Sequence, residues 1–206
     1  RIFTPNKEIP FAGHPIIGSS FIAAMTINKE TLVLKAFMDG RMSIVQKSGD
    51  ILFLKNPKAH VGETIDVSNC FLNNMGSKLV NGGRSWIICE LSTEAEVREY
   101  KITNEEYEKI KNHANITKSM GICIFTRVDS EHIVVRAFPA GQNIREDPAS
   151  GAANALVAEY IYNTYGVNHN YVVSQGREMG FDAELYVKYE DESVWELIEE
   201  IIKNHP

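Results

Sequence analysis

Two short segments place residues suited to acid/base chemistry beside glycine, and the segments resemble one another. In the first, Arg1-Ile2-Phe3 is followed by His14, thirteen residues after the arginine. In the second, Arg136-Ala137-Phe138 is followed by Asp147, eleven residues after the arginine. A histidine or an aspartate held against a substrate can transfer a proton near neutral pH. The repeat therefore predicts two related halves that contribute to one site.

Each segment leads into a stretch rich in small residues that is predicted to be a helix, over Pro15–Ile27 and Ser150–Asn163. A helix N-terminus offers unpaired amide donors and the positive end of a dipole, so it suits an anion such as a carboxylate. Pro15 fits the first helical position, which places His14 at or beside the N-cap. The dipole there opposes protonation and favours a neutral imidazole near pH 7. A lone histidine or aspartate at such a place is usually structural, and only the repeat favours a functional interpretation.

Composition excludes several classes of function. The chain has 206 residues, 44% of them hydrophobic, which is enough for a substantial core. The net charge is -6 and the pI is about 5.6, with no run of more than two Lys or Arg residues, which argues against nucleic-acid and anionic-membrane partners. No apolar run is long enough for a membrane span and no signal peptide is recognisable, so the cytoplasm is the expected location.

The three cysteines, Cys70, Cys89 and Cys123, lie far apart in the sequence and have no metal-binding spacing. We expect all three to be reduced and packed in the interior. A thiol acid/base pair is the functional alternative, but it would need cysteines at the two helix starts. The cysteine spacing therefore predicts no zinc site.

Strands outnumber helices and follow one another through tight turns, which predicts an α+β fold. We expect two pseudo-symmetric lobes, each a mostly antiparallel sheet around one central helix, with the first lobe incomplete. The expected boundaries are 1–57 for the first lobe and 58–190 for the second, with the crossing in Lys55–Asn69. Residues 191–206 are predicted to form a C-terminal amphipathic helix, because apolar residues recur at helical spacing at Val194, Leu197, Ile198, Ile201 and Ile202.

The same segments resemble a known family. The stretches Arg1–Pro5, Glu8–Pro15 and Glu146–Ala153 are similar to signature segments of the PhzF-like phenazine-biosynthesis isomerases. The similarity extends to Val80-Asn81-Gly82-Gly83 before a strand and to Ser174-Gln175-Gly176 near the end. The resemblance implies the two-lobed fold of diaminopimelate epimerase.

The resemblance also implies an activity and a set of site residues. Members with known activity move a proton on a small carboxylate-bearing compound without metal or cofactor, in a cleft between two helix N-termini. By resemblance, His14 contacts the substrate and Asp147 binds or polarises its amino or hydroxyl group. Gly13 and Gly151 would lie beside the carboxylate. Ser150 and Ala152 complete the expected substrate-binding positions.

The sequence also departs from the family pattern. The family's principal acid/base is a glutamate upstream of the Arg-Ile-Phe strand, and the sequence given begins after that point. Glu8 is not expected to replace it, since family members carry an acidic residue there as well. Ala152 stands where serine is usual, and Phe181-Asp182 replaces Arg-Pro. A family member also usually ends in a strand that returns to the first lobe, where this chain is predicted to be helical.

Two hypotheses remain from the sequence. An upstream segment that supplies the glutamate would make the protein a PhzF-like isomerase or epimerase. Without it, a non-catalytic relative that binds small carboxylates becomes the better interpretation. Incomplete lobes would leave open sheet edges, which stable proteins cover, so we also expect a homodimer.

Overall fold

The computed structural model describes residues 1–3, 8–9, 12–36, 38, 40, 42–48, 51–56, 58–71, 73–190 and 193–198. Its helices are α1 (Gly13–Ile27), α2 (Glu94–Arg98), α3 (Asn104–Thr117) and α4 (Gly151–Tyr165). Its strands are β1 (Ile2–Phe3), β2 (Glu8–Ile9), β3 (Thr31–Lys35), β4 (Met42–Ser48), β5 (Ile51–Lys55), β6 (His60–Thr64), β7 (Asn74–Asn81), β8 (Ser85–Leu91), β9 (Ile122–Arg127), β10 (His132–Phe138), β11 (Tyr171–Gln175), β12 (Ala183–Glu190) and β13 (Ser193–Ile198).

The fold is α+β, as the sequence predicts. Within the described residues, β1 pairs with β2, and eleven strands form one sheet in the order β3-β4-β5-β13-β12-β11-β10-β9-β8-β7-β6. The β8–β9 and β10–β11 pairs are parallel and the other pairs of this sheet are antiparallel. Antiparallel neighbours need only short turns, which explains why so many strands fit between four helices.

The predicted C-terminal helix is wrong where it can be compared with the structure. Ser193–Ile198 is strand β13, which pairs with β12 and, through Trp195↔Lys55 and Glu196↔Leu54, with β5. The segment joins the strands near the start of the chain to those of the second half. Residues 199–206 lie outside the described residues. The apolar residues are spaced as in a helix, but the segment forms a strand because pairing with β12 and β5 supplies hydrogen-bond partners for its backbone.

Two further expectations can be compared directly. The segment Lys55–Asn69, which is expected to contain the crossing between the lobes, includes the regular strand β6. The strand expected after Gly82-Gly83 is confirmed as β8, and the two glycines lie in the turn that joins β7 to β8. Gly83 has a φ of 94° and donates its N–H to Oδ1 of Asn81 at 3.0 Å. The left-handed backbone at this turn favours glycine.

The cap residues of α2 and α3 explain where these polar helices begin. Thr93 caps α2 in a capping box with Glu96, in which each side chain accepts a hydrogen bond from the other residue's backbone N–H. Thr103 caps α3 by accepting from the N–H of Glu106 at 3.2 Å, and acidic residues occupy the first turn. Thr103 or Asn104 followed by two glutamates predicts a capped polar helix that runs through Asn112. The cap is confirmed, and the helix continues to Thr117, five residues further.

The core of the chain divides into groups around its helices. One group packs α1 against β3, β4 and β5. A second group surrounds α4, which contacts β6, β7, β8, β9, β12 and β13, and a third lies beside α2 and α3. The small residues of α4 allow strands to approach it closely, and most of the helix is buried. By contrast, α1 exposes Phe21, Ile22 and Met25 at 43%, 64% and 69%. The two helices that follow the repeated segments therefore differ strongly in how far strands cover them.

Candidate active site

Asp147 lies in the segment between β10 and α4, three residues before the helix N-cap. Its backbone N–H donates to the carbonyl of Ala137 at 2.9 Å, forming an isolated antiparallel bridge. Its carboxylate Oδ1 accepts from the N–H of Ala149 at 3.2 Å, and the residue is half-buried. We expected Asp147 at the helix N-terminus, but its side chain closes a turn of its own loop and Ser150 takes the N-cap position.

The N-terminus of α4 begins at Gly151, which is buried, and continues with Ala152, which is exposed. Ser150 makes no capping hydrogen bond with its side chain, and no acidic residue occupies the first turn. The N–H groups of the first turn have no carbonyl partner within the helix itself. This end of α4 therefore presents backbone donors and the positive end of the helix dipole.

The N-terminus of α1 has the same features. Ala12 is the N-cap and has no side chain that can cap, Gly13 is the first helical residue, and the first turn carries no acidic residue. Pro15 is the third helical residue, not the first as predicted, and its missing N–H costs no helical hydrogen bond there. The backbone of His14 is the second residue of α1; its side chain lies outside the described part of the structure.

The two uncapped helix ends contrast with the other two α-helices that the structure describes. Helices α2 and α3 both begin with a threonine cap and glutamates in the first turn, whereas α1 and α4 have neither. Helices α1 and α4 are each 15 residues long, begin with glycine and contact one another. Among the described α-helices, the two that follow the repeated segments are therefore the ones that begin with neither a side-chain cap nor an acidic first turn, which suits an anion.

The repeat continues in the ion pairs that precede each helix. Arg1 makes a bidentate pair with Glu8 at 3.0 and 2.8 Å, and Arg136 makes one with Glu146 at 2.8 and 2.9 Å. Each guanidinium also lies about 5 Å from the ring of the phenylalanine two residues on, at 5.0 and 5.3 Å. In each half, the residue after the arginine pairs with the residue after the glutamate.

This register changes which positions are equivalent. Since Ile2 pairs with Ile9 and Ala137 pairs with Asp147, the equivalent of Asp147 in the first half is Ile9. Counting on to the helices, Gly13 matches Gly151, and His14 matches Ala152. The two polar side chains therefore lie at different positions of the repeat, and treating His14 and Asp147 as equivalents is wrong.

Glu8 is an ion-pair partner and not a suitable acid. Its side-chain hydrogen bonds with Arg1 hold the pKa of the carboxyl below its ordinary value. A general acid near neutral pH needs a raised pKa. This arrangement agrees with the expectation that Glu8 does not supply the missing acid/base group.

Arg136 connects the segment that carries Asp147 to α2. It is 4% exposed, and besides pairing with Glu146 its Nη1 donates to the carbonyl oxygens of Val97, Arg98 and Tyr100 at 3.2, 3.4 and 2.6 Å. These carbonyls lie at and just beyond the C-terminal end of α2, where helical partners run out. The residue immediately before Asp147 is thereby anchored in the interior.

Gln175, at the end of β11, contacts the same segment from the other side. Its side chain is hydrogen-bonded to Asp147, Ser150 and Asn154. In the sequence, Ser174-Gln175-Gly176 contributes only to the family resemblance, which implies no role for the glutamine. A glutamine at the end of a strand, directly before glycine, was the available signal.

The cysteines behave as packing residues. Cys89 and Cys123 are fully buried, and burial raises the pKa of both thiols far above the ordinary value. Cys70 is partly exposed, and burial raises its pKa to about 11. Thiols of this kind do not supply a proton-transfer pair at neutral pH.

Alkylation should separate the three thiols. At pH 8 we expect Cys70 to react with iodoacetamide about tenfold more slowly than a free thiol, because its small thiolate fraction is only partly offset by higher nucleophilicity. Cys89 and Cys123 should be modified only on unfolding. Peptide mapping by mass spectrometry after timed labelling measures each rate, and labelling of Cys89 as fast as Cys70 in the native protein would contradict this assignment.

The larger of two cavities does not lie at the predicted site, the N-terminus of α4. A cavity of about 520 Å³ is lined by residues that include Glu90, Arg127, Ile161 and His169, towards the opposite end of α4 from Gly151. A smaller one of about 110 Å³ lies beside Arg1, Glu8 and Pro15.

In the part of the chain that the structure describes, no group of three His, Cys, Asp or Glu residues is placed to bind a metal ion. Over the same residues, no helix combines the length and apolar character needed to cross a bilayer.

Comparison with solved structures identifies the type of fold. The fold resembles the crystal structure of a PhzF-family phenazine biosynthesis protein from Enterococcus faecalis, with a TM-score of 0.73 at 20% identity, over 94% of this chain and 71% of that one. A predicted epimerase from Pseudomonas aeruginosa gives a TM-score of 0.72 at 20% identity, over 94% of this chain and 73% of that one. The fold is therefore that of the PhzF structures.

The family is identified by a match to the sequence. The model of the PhzC-PhzF family, described as "Phenazine biosynthesis-like protein", matches residues 1–198, and the chain belongs to this family. Antisense-enhancing sequence 1 of Schizosaccharomyces pombe is 22% identical over 89% of this chain and 68% of its own length. An "uncharacterized isomerase" of Clostridium acetobutylicum is 24% identical over 78% of this chain, which spans 59% of that protein.

Proposed function

We propose that the protein is an isomerase or epimerase that moves a proton on a small carboxylate-bearing substrate. The observation that carries the proposal is the pair of uncapped helix N-termini on α1 and α4, which contrasts with the capped ends of α2 and α3. A substrate carboxylate held by such donors gains charge-assisted hydrogen bonds. Membership of the family and the isomerase name of the Clostridium acetobutylicum relative support the reaction class.

The proposed chemistry is removal of a proton from a carbon next to the carboxylate and its return at another face or carbon. Negative charge develops on the substrate as the C–H bond breaks, and backbone donors at a helix N-terminus stabilise that charge. Asp147 would bind or polarise an amino or hydroxyl group, and His14 would contact the substrate from the start of α1. We propose that the principal acid/base is the glutamate that the resemblance places upstream of Arg1, and that no metal or cofactor takes part.

The proposal predicts exchange of substrate hydrogen with solvent. Full-length protein incubated in deuterated water with small carboxylic acids that carry an acidic C–H bond should incorporate deuterium into at least one of them. Proton NMR and mass spectrometry measure the incorporation, with heat-denatured protein as the control. Carboxylates that raise the melting temperature without any incorporation would instead favour the non-catalytic carboxylate-binding hypothesis. The homodimer and the cytoplasmic location remain predictions.

A further inference from the structure

The buried side chain of Gln175 ties the end of β11 to the segment that carries Asp147. Gln175 is 2% exposed. Its Nε2 donates to the carbonyl oxygen of Asp147 at 2.7 Å, and its Oε1 accepts from the backbone N–H of Ser150 at 3.3 Å. One amide therefore holds both ends of the four-residue segment that leads into α4.

The orientation of this amide is fixed by its partners. A carbonyl oxygen accepts at one end and a backbone N–H donates at the other, so exchanging the nitrogen and oxygen would break both bonds. Asn154 is fully buried and donates its Nδ2 to Oε1 of Gln175 at 2.8 Å and to the carbonyl of Ser150 at 2.9 Å. The asparagine thus links the glutamine to the first turn of α4.

Backbone packing beside Gln175 supports the same attachment. Gly176 has a φ of 87°, and a Cβ at this position would lie 2.5 Å from the carbonyl oxygen of Pro148. A side chain would therefore push β11 and the Asp147 segment apart. The strand end and the segment are in contact over consecutive residues, Gln175 with Asp147 and Gly176 with Pro148.

We propose that Gln175 is a positioning residue for the reaction: it sets the place of the Asp147 carboxylate and of the amide donors at the start of α4. Its burial keeps it from touching a substrate, so it acts through Asp147 and Ser150. A misplacement of about 1 Å in such groups can cost ~100-fold in rate. The inference rests on the function proposed above, since it assigns Asp147 and the α4 N-terminus to the site.

Hydrogen exchange tests the positioning without requiring any turnover. In full-length protein, Gln175→Leu should increase the exchange rate of the Ser150 N–H by about tenfold or more, because a buried amide loses its acceptor. Gln175→Glu keeps an acceptor for Ser150 but loses the donor to Asp147, so its Ser150 protection should lie closer to the original protein. Ile161→Val, in the same core at the far end of α4, is the control for general loss of stability.

Gly176→Ala perturbs the same contact independently, because it pushes the end of β11 away from the Asp147 segment without changing Gln175 itself. It should also increase the exchange rate of the Ser150 N–H. If neither Gln175→Leu nor Gly176→Ala changes this exchange beyond the Ile161→Val control, Gln175 does not hold the segment and the inference is overturned.

Kinetics then separates this inference from the proposed function. With a substrate found by deuterium incorporation, Gln175→Leu should lower kcat by about tenfold or more while KM changes less, and Gln175→Glu should restore part of the loss. Unchanged kcat in Gln175→Leu would reject the positioning role while leaving the function intact. No incorporation by the unaltered protein would reject the function itself, and with it the assignment of Gln175 to a reaction.

Discussion

Replacing Arg136 with methionine is expected to lower the free energy of unfolding by about 3–5 kcal/mol. The side chains of Arg136 and Glu146 are only 4% and 8% exposed, so the substitution leaves a buried carboxylate without its partner. It also removes the donor that serves three carbonyls at and just beyond the end of α2. Urea denaturation followed by circular dichroism measures the change.

The chain provides its own control for this prediction. Arg1 makes the same bidentate contact with Glu8, but the two side chains are 52% and 18% exposed, so water already solvates the pair. Arg1→Met should therefore leave the urea midpoint almost unchanged. The double variant Arg136→Met, Glu146→Leu should recover part of the loss, because removing both partners leaves no buried charge. Equal effects of Arg136→Met and Arg1→Met would show that burial does not determine the contribution of this ion pair.

Local composition was sufficient to predict much of the fold. Small residues after Gly13 and Gly151 predict the two long helices, and both form. Apolar segments on either side of Asp129-Ser130 predict a strand pair, which is confirmed as the β9–β10 hairpin. These patterns act over short distances along the chain, so the sequence displays them directly.

The parts that sequence patterns missed depend on partners far along the chain. Ser193–Ile198 carries apolar residues at helical spacing, yet its pairing with β5, more than a hundred residues earlier, makes it a strand. The contact of Gln175 with Ser150 joins residues 25 positions apart, and no local pattern specifies it. The exact repeat register also required the observed pairing of Ala137 with Asp147. Tertiary contacts of this kind override local preference.

Among the described residues, the largest effect on activity is expected at Asp147. Asp147→Asn should reduce deuterium incorporation into a substrate by about 100-fold, because it removes the charge proposed to bind and polarise a substrate amino or hydroxyl group, and misplaced groups cost about that much in rate. An asparagine oxygen can still accept the N–H of Ala149, so the loop should keep its conformation and stability should change little. Incorporation is followed by proton NMR, and the urea midpoint is measured in parallel.

Asp129 offers a matched control for that substitution. Its carboxylate also accepts the backbone N–H of the residue two positions on, Glu131, at 2.7 Å, but it lies in the exposed β9–β10 turn. Asp129→Asn removes the same charge from the same kind of turn, so it should leave incorporation unchanged. His14→Gln should lower incorporation as Asp147→Asn does, because both residues are proposed to contact one substrate. If Asp147→Asn retains more than about half of the original rate while the fold is intact, the carboxylate does not bind or polarise the substrate in the reaction.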